Sequence, residues 1–256
     1  LDSARLNHAD FSGAQLTGAS FVGALLDHVA FTGCRGDATV FRQASGDHTR
    51  FDGGSWRSAN FEGSDLEDAD FSSATLDGAV FDRAGLHRIC LLEAHGDNVS
   101  FVGVSMDGAR ADTVRLPHAN FDASDVSSSV FESAELSGAR FVSANCGDTS
   151  FTKADCSAAA FDKARLESCR FDQAQLVDAT FARANLMEAS FDRADLSRAN
   201  MSDANLFGCA CHGAKLDGLR LDRALVGLSG FETSGARTAR RAPEDDGAQS
   251  DGGAGR

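Results

Sequence analysis

Ala194-Asp195-Leu196-Ser197-Arg198, Ala199-Asn200-Met201-Ser202-Asp203 and Ala204-Asn205-Leu206 write one motif three times, at a spacing of five residues. Extended both ways, the spacing holds without a slip from Leu1 to Phe231, over forty-seven positions. Eighteen of the nineteen phenylalanines stand on that register, and only Phe207 does not. A period of five fits neither the 3.6 of a helix nor the 2.0 of a strand. It fits a solenoid in which every short side sends one anchor inward.

The position two before each anchor is nearly as restricted. From Ala4 to Ser229 it holds twenty-nine alanines in forty-six sites, and Ile89 and Leu219 are its largest occupants. Neither position carries Asp, Glu, Lys, Arg or His. Two of every five residues are therefore expected to be buried and three wet. A small residue before the anchor lets the chain turn tightly beneath it.

The quoted stretch matches the A-(D/N)-L-x-x signature and resembles the pentapeptide-repeat family over about nine tenths of the chain. The resemblance implies an all-β fold: a right-handed quadrilateral β-helix with four five-residue sides and twenty residues per coil. Residues 1–231 would form about 11.5 such coils. With coils about 4.8 Å apart the rod is about 55 Å long. Phe21, Phe41, Phe61, Phe81, Phe101, Phe121, Phe141, Phe161 and Phe181 then form one unbroken column. Each buried ring removes roughly 150–250 Å² from water, so the Phe columns dominate stability. Gly36, Gly46, Gly96 and Ala111 leave anchor sites unfilled. Trp56 lies one coil after Gly36 on the same wall, and its ring is expected to lean into the space there. Loosening is expected within 36–56 and 90–115.

Beyond Phe231 the phase dissolves, and 232–256 reads as a disordered tail rich in Gly, Ala, Arg and Asp. Leu1 already sits on the register, so the chain reads as part of a longer bacterial-type protein, with secretion-associated proteins among the precedents. Open coil ends expose strand edges. They are expected to pair with further sequence or with another copy, as in an end-to-end homodimer. No run of 18 apolar residues suits a membrane span. Six of the seven cysteines (Cys34, Cys146, Cys156, Cys169, Cys209 and Cys211) fall at inward positions and only Cys90 faces out. They read as core filler in a reducing cytoplasm.

The net charge of −14 disfavours direct nucleic-acid contact and anionic lipid, and favours a protein partner with a basic surface. On the wall of Leu6, Leu26, Gly46 and Leu66, ten acids face three bases, a net of −7. Its candidate contact residues are Asp27, Asp47, Asp65, Glu67, Asp68, Asp107 and Asp125. His8, His28 and His48 climb the same wall one coil apart. They are a weak metal candidate, and duplication explains such a ladder more simply. No cofactor motif, nucleophile elbow or phosphate loop is present, and no inward position can host a shifted acid or base. The expected function is a non-catalytic docking module. The alternative is a DNA mimic that binds DNA gyrase and protects it from quinolones or toxins, as some members of the resembled family do. Its charge counts against it: 33 acids and 20 bases in the repeat leave one net charge per roughly 4 Å, against about 1.7 Å in duplex DNA.

Overall fold

A computed structural model describes residues 1–231; the expected tail, 232–256, lies outside the described residues. Each pentad opens with a β-turn. The N–H three residues past an anchor donates back to the anchor carbonyl, as Ala24 does to Phe21 (3.0 Å). The third residue of every turn is left-handed, with φ between +53° and +74°. Only thirteen of these residues are glycine; thirty-three are not, and among those Thr113 is the only β-branched one. A left-handed residue with a side chain carries a conformational penalty. The same residue offsets it through its own N–H, which donates to the next coil (His28 to the Asp47 carbonyl, 2.8 Å).

Between turns, the residue before each anchor bridges in parallel to the residue twenty later, from Arg5↔Leu25 to Asn205↔Leu225 without omission. A coil is therefore twenty residues, with four ladders of single-residue bridges. Each bridging residue uses both of its backbone groups. Ser45, for example, donates to Ala24 (3.0 Å) and accepts from Leu26 (2.7 Å). One amide per pentad, that of the residue after the anchor, finds no backbone acceptor among the described residues. Aspartate and asparagine side chains take up many of these amides. Some reach forward two residues, as Asp70 Oδ1 does to Ser72 N (2.8 Å). Others reach up one coil, as Asp82 Oδ1 does to Val102 N (3.1 Å). Much of the acidic composition is thus structural, because an amide left bare at the coil surface is costly.

From Phe21 to Cys211 every anchor is buried, and so is every residue two before an anchor from Ala24 to Cys209. The Phe21–Phe181 column is unbroken, with centroids 4.7–5.0 Å apart and rings within 11° of parallel. Phe31 meets it edge-on from the opposite wall, 5.4 Å from both Phe21 and Phe41. The six inward cysteines are buried and free, as expected. Hydroxyls and thiols two before an anchor reach the anchor carbonyl of the preceding coil: Thr39 to Leu16 (2.8 Å), Thr149 to Val126 (2.8 Å), Cys169 to Cys146 (2.8 Å). Among the described residues, Ser64 alone has a buried hydroxyl without a partner. Ser64→Ala should therefore stabilise the chain by about 1 kcal/mol, read as a higher urea midpoint at unchanged slope. A lower midpoint would mean that the hydroxyl finds a carbonyl, as Ser124 finds that of Phe121 (2.6 Å).

Gly36 behaves as the sequence implies: a Cβ there would collide with Trp56 Cζ3 and Cε3. Gly46 and Gly96 do not leave voids. The coil draws inward until a Cβ at Gly46 would lie 2.7 Å from that of Leu26, and one at Gly96 2.6 Å from the Leu76 carbonyl carbon. The inward step has a local consequence. Among the described turns, only those two lack a closing bond of normal geometry, from Thr49 to Gly46 and from Val99 to Gly96. The bridges on either side, Ser45↔Asp65 and Ser100↔Asn120, stay intact. The loosening expected over 36–56 and 90–115 thus contracts to two turns. The Thr49 and Val99 amides should exchange with deuterium at least about tenfold faster than those of Ala44 and Val104. Equal protection would show that the missing bonds do not loosen the turns.

Candidate functional site

The acidic wall is built by the register itself. Asp27, Asp47, Glu67 and Asp107 share one outward position in successive or alternate coils, Asp65 and Asp125 share the bridging position beside it, and Asp68 sits in a turn. The inward step at Gly46 makes a shallow depression lined by Asp27, Asp47, Asp65 and Glu67 with Ser45. These carboxylates are not equivalent. Asp27 accepts from the Asp47 amide (3.2 Å) and from Asn7 Nδ2 (2.8 Å), so it supports the coil above it. Asp125 caps Ser127 N (3.0 Å) and takes bonds from the Ser127 hydroxyl (2.6 Å) and Asn145 (3.1 Å). Partial burial pushes its pKa up, but those hydrogen bonds outweigh it and the net shift is downward. Asp107 pairs with His87. Asp65 makes no hydrogen bond or ion pair with another side chain among the described residues.

Arg88 closes the upper edge of the depression. Its guanidinium grips Asp68 through Nε (2.9 Å) and Nη2 (2.7 Å), and its Nη2 also reaches Glu67. The Arg88 bond holds the Asp68 carboxyl below the usual carboxylate range. Arg88 is one of the three bases on the wall, and residue type alone does not reveal this clamp. The signal was available, since 68 and 88 are one coil apart. The same i to i+20 rule produces Arg57–Asp77 (3.2 Å), Arg198–Asp178 (2.6 Å) and Arg223–Asp203 (2.6 Å) elsewhere. Such exposed pairs contribute little stability. They do dilute the acidity of the rod.

His8, His28 and His48 do form a ladder. His8 and His28 stack at 5.1 Å and 7°, while His28 and His48 lie 5.3 Å apart at 63°. The ladder does not converge as a ligand set. Among the described residues, the group of three whose ligand atoms approach one another is Asp47, His48 and Asp68, with His48 Nδ1 2.6 Å from Asp47 and 3.9 Å from Asp68. The hydrogen bond that His48 Nδ1 donates to the Asp47 carboxylate raises the His48 pKa above the ordinary imidazole value. Arg88 already occupies Asp68. The arrangement reads more simply as an Asp–His–Asp–Arg chain of paired charges along the wall than as a metal centre.

Among the described residues no Asp, Glu, Lys, Arg or His is buried. Burial pushes the Cys146 thiol well up and the Cys209 thiol to about 12, so neither is a thiolate near neutrality. Among the described residues no helix is long and apolar enough to cross a membrane.

The chain is similar to known proteins along most of its length. The description "pentapeptide repeat region" matches residues 3–81, and "pentapeptide repeats (8 copies)" matches 129–167 and 164–203. Proteins of this family are generally non-catalytic repeat proteins. No curated protein is significantly similar in sequence. Among solved structures, HetL from the cyanobacterium Nostoc sp. strain PCC 7120, a pentapeptide repeat protein involved in heterocyst differentiation regulation, is 28% identical over 90% of each chain, with a TM-score of 0.52. QnrB1, a plasmid-mediated fluoroquinolone resistance protein, is 18% identical over 91% of this chain and 95% of its own, but its TM-score of 0.27 is too low to bear on shape. The likeness to HetL implies a right-handed β-helix, which agrees with the twenty-residue ladders. Matched over more than half its length, and carrying the five-residue register from Leu1 to Phe231, the chain belongs to the pentapeptide-repeat family.

Proposed function

We propose that the chain is a non-catalytic docking module: a right-handed quadrilateral rod of about 11.5 coils whose acidic wall receives a protein partner with a basic surface. It acts in the reducing cytoplasm, which suits seven free cysteines, six of them buried. The carrying observation is the depression at Gly46, where the carboxylates of Asp47, Asp65 and Glu67 line one hollow. The partner is a protein rather than nucleic acid or membrane, because the wall repels both.

The test uses outward residues that do not cap backbone. Asp47→Lys, Asp65→Lys and Glu67→Lys together should leave the melting temperature within a few degrees of wild type. Binding of a lysine-rich probe peptide should weaken by about an order of magnitude at low salt, and the difference should fade as salt screens the wall. Unchanged binding would remove the wall from consideration. Gyrase mimicry is the second reading. It is weakened by the clamps on Glu67, Asp68, Asp77, Asp178 and Asp203, which cut an already sparse charge density. In a supercoiling assay with purified gyrase, with and without a quinolone, the docking reading predicts no effect at micromolar chain. Inhibition or drug protection lost in the triple variant would establish mimicry instead.

A further inference from the structure

Four of the five large apolar side chains exposed among the described residues lie at one end of one wall. Met187 is 38% exposed, Phe207 44%, Leu225 66% and Leu228 77%. Met187 and Phe207 hold the same outward position in consecutive coils, and Leu225 and Leu228 flank the anchor Val226 in the next. Phe207 is the one phenylalanine off the inward register. The residue one coil above it is Gly227, and a Cβ there would lie 3.4 Å from Phe207 Cδ2, so the ring lies against bare backbone. A lone exposed leucine needs no explanation, but a contiguous apolar patch on a wet surface marks a contact site.

This patch is on the acidic wall. Toward the N-terminus the same wall carries Glu188, Glu167 and Asp148, one, two and three coils before the coil of Phe207 and Gly208. The wall thus runs from acidic to apolar along the rod. We infer that the patch is the apolar half of a two-part docking surface. Its occupant is a protein segment with apolar side chains at one end and lysines or arginines at the other. The inference rests on the acidic-wall reading. A second copy fits poorly, because overlapping two such walls would set carboxylates against carboxylates. Residues 232–256 contain no Val, Ile, Leu, Met, Phe or Trp with which to cover the patch.

The full chain would be titrated with two labelled peptides: one with leucines at one end and lysines at the other, and one with the same lysines but serines for leucines. The leucine–lysine peptide should bind about tenfold tighter, as expected from burying one or two apolar side chains. Phe207→Ser with Leu225→Ser should abolish that gain, leaving the lysine–serine affinity and the melting curve unchanged, since both positions face out. Equal affinity of the two peptides for wild type would overturn the patch and leave the wall standing. Failure of the wall reading looks different: the lysine–serine peptide would then show no salt-sensitive binding at all, which would overturn the two-part surface as well. A wild-type chain that sediments as a dimer, and becomes a monomer with Phe207→Ser, would make a second copy the occupant and overturn the proposal.

Discussion

Gly36→Leu is expected to destabilise the chain by about 3 kcal/mol or more, and the same change should cost far less once Trp56 is also leucine. Gly36, Gly54 and Trp56 form one packing unit. The indole of Trp56 is wholly buried and occupies the place where a Gly36 side chain would begin. It is held edge-on by Phe31, Phe41 and Phe51, with centroids 5.2–6.1 Å away. Its Nε1 donates to the Phe51 carbonyl (3.0 Å), and a Cβ at Gly54 would come within 2.5 Å of that nitrogen. The ring therefore has no second position, and overpacking cannot be relieved by rotation. Trp56→Leu alone leaves a cavity above Gly36 and should cost about 3 kcal/mol. Together the two leucines restore the wall that Leu76, Leu116 and Leu136 show farther along. A double-mutant cycle followed by far-UV circular dichroism should return a coupling energy of about 2–3 kcal/mol. Additive losses would mean that the ring and the glycine are independent.

That unit was legible because Gly36 and Trp56 differ by one coil, and the coil length follows once four sides are accepted. The Phe21–Phe181 column and the inward cysteines were legible on the same ground. Other features were hidden for physical reasons. The left-handed residue of each turn is invisible because most of those sites carry residues other than glycine, and the inter-coil bond of the same residue offsets its strain. The capping role of Asp27, Asp82 and Asp125 was masked by reading acids only as charge. An aspartate that holds a backbone amide and one that faces a partner look identical in sequence. The depression at Gly46 was misjudged for a related reason. An empty anchor site suggests a void, but the backbone can move inward and fill it at the expense of one turn bond. Phe207 was visible as the sole exception to the register, yet its meaning needs Met187, Leu225 and Leu228 beside it, and only the coil brings those together.

The second large effect concerns the coil in which the core is thinnest. Phe101 stacks between Phe81 (4.9 Å) and Phe121 (4.8 Å). Opposite it the aromatic column is interrupted, since Leu91 and Ala111 stand between Phe71 and Phe131. The adjoining anchor is Gly96, whose turn lacks its closing bond. Phe161, by contrast, has stacked neighbours at 4.9 and 5.0 Å and edge-on neighbours on both sides, Phe151 and Phe171, each at 5.6 Å. Phe101→Ala and Phe161→Ala should each cost about 3–5 kcal/mol, but in different ways. In a solenoid each coil contacts only its neighbours, so cooperativity passes through every interface in turn. The coil of Phe101 has Gly96, Met106 and Ala111 as its other three anchors. Once the ring is cut back to a methyl group, that coil holds too little apolar volume to couple the segments on either side. Urea unfolding of Phe101→Ala should therefore separate into two transitions, and the amides of residues 90–115 should lose protection before the rest. Phe161→Ala should shift the unfolding curve without splitting it, because Phe151 and Phe171 still join the coils around the cavity. If the two variants unfold alike, the aromatic gap opposite Phe101 does not limit cooperativity, and the rod's coupling resides in its bridge ladders instead.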